Sequence, residues 1–187
     1  MHFRTLSIAA CTALLATASL ATPALAQMDM QGDAKKPMAS PPATASVTLA
    51  GKTLTIKYNA PSLRGRHLGG PEIVPWDKVW RTGANPATTL ITPVPLHIGT
   101  LLVPAGTYTI YTMPSREKWM LIVNKQTGQW GTEYDQTKDL GRVEMKSHTL
   151  PSAQEVMSIS FDDIKKDSAE MHIRWETTDE SVKISTP

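Results

Sequence analysis

The sequence predicts an all-β fold: a two-layer antiparallel β-sandwich of about ten short strands with little helix. Three observations carry this. From Ala45 onward apolar residues recur at every second position, the period of a half-buried strand rather than the 3.6-residue period of a helix. Turn signals rich in Gly, Pro, Asn and Asp separate these runs at short intervals. No convincing long helical stripe occurs after Ala45. Chains of this kind close into sandwiches or barrels. Jelly-roll and immunoglobulin-like connectivity both stay open, and a closed barrel is the alternative.

Taken in order, Val47 and Leu49 alternate with polar neighbours, Ala50-Gly51-Lys52 turns, and Leu54, Ile56 and Tyr58 alternate again, so the first element is a hairpin. Residues 59–75 hold three prolines and three glycines and read as a long irregular connection. Thr88 to Ile91 is a short strand, and Pro93 and Pro95 restrict the next segment to an edge or a turn. Leu96 to Val103 reads as one hairpin arm, Pro104-Ala105-Gly106 as a turn, and Thr107 to Met113 as a Thr- and Tyr-rich strand. Trp119 to Val123 is apolar on both faces, which fits a strand covered on both sides. Residues 124–139 form a loop with one helical turn near Glu133 to Thr137. Val143 to His148, Val156 to Phe161, Met171 to Trp175 and Ser181 to Ser185 complete the set. In the third of these Met171, Ile173 and Trp175 face inward, with His172, Arg174 and Glu176 outward.

The N-terminus predicts export. His2 and Arg4 precede an uncharged stretch, Leu6 to Ala21, and Pro23 precedes Ala24-Leu25-Ala26. Small residues at the first and third of those positions suit a signal peptidase, so residues 1–26 read as a signal peptide cut before Gln27. The stretch is short of the ~20 strongly apolar residues of a membrane anchor. Residues 27–44, polar and rich in Pro, Met and Lys, read as a disordered tether, and residues 45–187 as one domain. Cys11 is the one cysteine. Ile8-Ala9-Ala10-Cys11 loosely resembles a lipoprotein box, but the apolar run before it is very short. With Cys11 removed in the leader, no disulfide, thiolate nucleophile or cysteine metal site is expected. About 160 residues remain, enough for one domain with a real core. Lys and Arg number 19 against 17 Asp and Glu, which gives no reason to expect a nucleic acid or an anionic membrane as partner. The expected location is the periplasm or the cell exterior, with no transmembrane segment in the mature chain.

Candidate chemistry is sparse. His67, His97, His148 and His172 are not spaced as metal ligands and read as solvated or hydrogen-bonded side chains. Met28-Asp29-Met30 with Met38 offers soft thioethers to copper(I), the one metal reading the residues allow. No nucleophile elbow, Cys-His pair or phosphate-cradling glycine loop occurs, and Asp162-Asp163 point to opposite faces of a strand. No cofactor is expected. Two loops stand out. One carries Trp80, Arg81 and Asn85 within Val74 to Pro86; the other carries Trp130 and Tyr134 within Asn124 to Tyr134. Aromatics, a guanidinium and amides at one end of a sandwich suit a small polar or carbohydrate-like ligand. Arg64 and Arg66 offer planar forks for an anion. The competing structural reading makes Trp80 a plug for the open end, with Arg81 and Asn85 tying down loop carbonyls.

Three separated stretches carry a resemblance: Trp80-Arg81-Thr82-Gly83-Ala84-Asn85, Val103-Pro104-Ala105-Gly106-Thr107-Tyr108-Thr109-Ile110-Tyr111, and Asn124-Lys125-Gln126-Thr127-Gly128-Gln129-Trp130-Gly131-Thr132. Arg64-Gly65-Arg66 and Asp139-Leu140-Gly141-Arg142-Val143 fit as well. In this order, from about Ala45 to Ile184, they resemble the bacterial "domain of unknown function 2911" family. The resemblance implies an exported bacterial domain and carries over no activity, cofactor or catalytic residue. The leading expectation is a non-catalytic binding module for a small polar or envelope-derived ligand. A hydrolase or lyase of envelope carbohydrate, using Glu133 or Asp135 beside Arg81, is the enzymatic alternative.

Overall fold

A computed structural model describes residues 38–187. The expected leader with Cys11, its cut after Ala26, and Met28-Asp29-Met30 lie outside the described residues. Among the described residues ten strands form two antiparallel sheets. The larger runs β1 (Pro42–Leu49), β2 (Lys52–Asn59), β3 (Thr88–Thr92), β6 (Gly106–Met113), β7 (Met120–Asn124) and β8 (Asp139–Glu144), neighbours in that order. The smaller runs β5 (Leu101–Val103), β4 (Leu96–Ile98), β10 (Ser168–Ser185) and β9 (Lys146–Asp162). The predicted two-layer all-β sandwich is therefore what forms. Among the described residues no helix is long and apolar enough to cross a membrane.

β1 and β2 pair through a two-residue turn in which Ala50 and Gly51 take φ of 47° and 74°. Positive φ at both positions is the turn whose twist matches a hairpin. β1 opens at Pro42, inside the stretch expected as tether. Pro42 pairs with Asn59, and Ala43 and Ala45 continue the inward alternation with side chains too small to mark it in the sequence.

Leu96 to Val103 is not one arm but the β4–β5 hairpin, folded at Gly99 with φ 54°. The two prolines do mark a turn. The strand after them, however, lies between β5 and β10 rather than at an edge, because the chain crosses there to the second sheet. This departure leaves β3 to pair with β6. The helical turn expected near Glu133 to Thr137 is the 3₁₀ turn Gln136–Lys138.

The last four expected strands fall into the end of β8 and two long strands. β8 ends at Glu144, and β9 and β10 make a ribbon of 17 and 18 residues. Its register slips between Arg174 and Thr178, where Glu176 takes φ 54°. The bulge turns the Glu176 carboxylate onto the long connection, where it accepts from the Leu68 N–H at 3.0 Å and meets His67 Nδ1 at 2.5 Å. Below the bulge Met171, Ile173 and Trp175 face the core as expected. On the outer face Arg174 binds Asp162 and Asp179, and His172 Nδ1 lies 2.7 Å from Asp179.

The core lies between the sheets, from Leu49, Leu54, Ile56, Ile110 and Leu121 on one side to Ile98, Met157, Met171, Ile173 and Ile184 on the other. One end is closed by three tryptophans. Trp80 stacks on Trp175 with centroids 5.7 Å apart and meets Trp119 edge to face at 6.2 Å. β7 is covered on both faces, with Leu121, Ile122 and Val123 all at 0% exposure. Leu121 and Val123 belong to the core. Ile122 shares the opposite face with its partner Tyr111, beneath the 124–139 loop.

Candidate functional site

The site is built where the two loops singled out by the sequence meet over the outer face of the large sheet. Pro86 bridges Trp130, the Ala87 N–H donates to Gln129 O, and the Gly131 N–H donates to Asn85 O at 3.1 Å. Beside this seam Trp80 forms a single β-bridge with Thr112, its N–H donating at 2.7 Å and its carbonyl accepting at 2.9 Å. An extended residue sends its neighbour to the opposite side. Trp80 thus enters the core, Arg81 leaves it, and Thr82 returns to donate to Thr112 Oγ1 at 3.2 Å.

Arg81 emerges across Gly131. A Cβ on Gly131 would lie 2.3 Å from Arg81 Cδ, 2.8 Å from Arg81 Cβ and 2.9 Å from Asn85 O. Only glycine leaves room for that stem. Arg81 borders a recess of about 230 Å³, whose apolar side is Ile73, Val79 and Trp80 and whose polar side is Thr132, Tyr111 and Tyr134.

The tyrosines are fixed. The Tyr134 hydroxyl donates to Asp139 Oδ2 at 2.7 Å and accepts from Arg142 at 2.8 Å, and its ring meets Tyr111 edge to face at 5.0 Å. Burial, then the bond to Asp139, pushes the Tyr134 phenol up to about 12. The Tyr111 hydroxyl donates to Glu133 O and accepts from Gln129 Nε2 at 3.0 Å. Burial raises this phenol too. Both rings are neutral walls at physiological pH.

Arg81 is the exception to this pairing. Among the described residues it has no ion pair, and burial lowers its guanidinium from the ordinary value, though an arginine stays charged at neutral pH. Among the described residues no carboxylate lines the recess. Glu133 is exposed, and the Asp135 carboxylate caps the 3₁₀ turn, accepting from Thr137 N–H at 2.9 Å and Thr137 Oγ1 at 2.7 Å. Neither acid named in the enzymatic alternative lines the recess beside Arg81.

The other expected site residues divide. Trp80 is 8% exposed and belongs to the aromatic plug while also forming one wall of the recess. Asn85, with φ 60°, lends its carbonyl to Gly131. Trp130 is 50% exposed but stands outside the recess lining. Arg64 donates to Ala39 O, and Arg66 to Leu63 O and Ser62 O, so both tie down the long connection. Met38 is exposed. Sequence reading missed Tyr111 and Thr132. Tyr111 was open to inference, because strand alternation sends Tyr108 and Tyr111 to opposite faces and only Tyr108 is in phase with the core.

No curated protein and no solved structure matches the chain. The family model described as "Protein of unknown function (DUF2911)" matches residues 40–184, a span that holds both loops and the ribbon. On that match the chain belongs to the DUF2911 family, as its Trp80 to Asn85 and Asn124 to Thr132 motifs led one to expect.

Proposed function

We propose that this protein is an exported, non-catalytic binding module whose recess takes a small polar ligand bearing a carboxylate or similar anion. The observation that carries this reading is the half-buried Arg81 guanidinium with no acidic partner among the described residues. A planar fork of N–H donors matches a carboxylate in bidentate fashion, and a hydrogen bond to a charged group contributes roughly 1.5–3 kcal/mol. Thr132 adds a hydroxyl and Ile73, Val79 and Trp80 an apolar wall, the mixture typical of small-ligand sites. Export rests on His2, Arg4, the uncharged Leu6 to Ala21 stretch and Ala24-Leu25-Ala26.

The test uses protein secreted through its own leader, with the N-terminus read by mass spectrometry and thermal unfolding measured with citrate, succinate or phosphate. Glucose serves as the neutral control. A chain starting at Gln27 is expected, and one that keeps Met1 ends the export part. An anion at 100 times its Kd stabilises by about 2.7 kcal/mol, a Tm rise of roughly 5–10 °C for a domain of this size. The rise is expected to vanish in Arg81→Ala and to shrink in Arg81→Lys. Equal stabilisation of wild type and Arg81→Ala, or none by any anion, refutes the reading.

A further inference from the structure

Glu180 is 1% exposed, yet it does not belong to the ion-pair network on the ribbon. Strand alternation places its neighbour Asp179 on the outer face with His172 and Arg174, and Glu180 on the inner one. Among the described residues one donor reaches its carboxylate, the Ser147 hydroxyl at 2.8 Å. Burying a carboxylate with so little compensation costs free energy, and such a cost commonly marks a functional group.

Its surroundings are ordered by the ribbon. Glu180 pairs across the strands with Ser147, and Thr178 pairs with Thr149. Residues two apart share a face, so a carboxylate and three hydroxyls form one patch. The patch is the floor of a groove of about 360 Å³, walled by Trp76 and Trp119. Trp76 is held in place: a Cβ on Gly69 would lie 2.1 Å from its indole atoms, and Gly69 has φ 82°. The indole is thus packed against bare backbone while it borders the groove. Arg116, Glu117 and His148 also line the groove, so its lining carries side chains of both charge signs.

We propose that this groove is a second binding site, for a neutral saccharide of one or two rings. A sugar offers an apolar ring face to an indole and vicinal hydroxyls to a carboxylate, which accepts two donors at once. The Ser and Thr hydroxyls both donate and accept, as a sugar requires. The volume lies at the small end of the ~300–1,000 Å³ range of such sites. An amine would satisfy Glu180 but leave the hydroxyl floor unused and face Arg116.

The experiment tracks intrinsic tryptophan fluorescence of the secreted protein during titration with glucose, N-acetylglucosamine, cellobiose and chitobiose, with choline and ethanolamine as cationic probes. At least one saccharide is expected to bind. Its Kd should rise tenfold or more in Glu180→Gln and in Trp76→Ala, and stay within twofold in Arg81→Ala, which separates this site from the recess. Thr149→Arg fills the groove from an exposed position and should abolish binding even if the first two variants fold poorly. Saturable binding of the amines in place of sugars, saccharide binding that survives Thr149→Arg, or no saccharide response at all overturns the proposal.

Discussion

The recess at Arg81 and the groove at Glu180 hold a basic and an acidic side chain, neither of which is in an ion pair among the described residues. In the recess a cation lies among neutral tyrosines, with its stem laid across Gly131. In the groove the Glu180 carboxyl group lies among hydroxyls, reached by Ser147 alone among the described residues. Elsewhere among the described residues partly buried charges are closely paired, as Arg174 with Asp179 or Arg142 with Asp139. The contrast locates the electrostatic demand this fold leaves unmet: at the two ends of one aromatic cluster. Trp80 walls the recess, Trp119 walls the groove, and the two rings meet edge to face.

The shared cluster gives the most damaging way to break the comparison. Trp80→Ala removes a ring that is stacked on Trp175 and 8% exposed. Deleting a buried tryptophan costs about 3–5 kcal/mol, and chemical denaturation should show a loss of that size. Both sites should weaken together. If the variant folds and the groove keeps its affinity, the two regions are independent and the cluster is only a plug.

Gly131→Ala separates the regions. Its new Cβ meets Arg81 Cβ and Asn85 O below 3.0 Å, so the Arg81 stem must move. Overpacking of this kind costs about 1–3 kcal/mol. Anion stabilisation in the thermal assay should fall at least tenfold in affinity while saccharide quenching stays unchanged. Retained anion binding shows that Arg81 reaches its ligand by another path.

The recess was partly legible in the sequence and the groove was not. Trp, Arg, Gly and Asn clustered in two loops announce themselves, and the Pro86 to Trp130 bridge does bring those loops together. What stayed hidden was direction: only the Thr112 bridge decides that Trp80 turns in and Arg81 out. The first hairpin was legible because its alternation and its Ala-Gly turn agree. The β9–β10 ribbon was not, because Lys146 to Ala153 is almost wholly exposed and carries no apolar period. Glu180 left one usable signal. Val182 and Ile184 face the core, and counting two residues toward the N-terminus puts a carboxylate in phase with them. The bulge near Glu176 hides this from Trp175, since the register slips between the two halves of β10.

The finest test compares acids rather than sites. Burial, the largest cause, raises the Glu180 carboxyl from its ordinary 4.5, so the native state holds that proton more tightly than the unfolded chain. Stability is then unpenalised below 4.5, falls as pH rises toward the raised folded value, and stays reduced above it. Asp162 has the opposite sign. The bond from Arg174 lowers its carboxyl, so it stabilises above its ordinary 3.8, and that contribution is lost as pH falls through the lowered folded value. Asp162 is half exposed, so its share is small. Urea unfolding from pH 3 to 8 should therefore show Glu180→Gln gaining on wild type as pH rises, and Asp162→Asn, close to wild type at the acid end, losing ground as pH rises from there. Parallel pH profiles for the two variants would mean that Glu180 is paired after all, and the distinction between groove and ion-pair network would collapse.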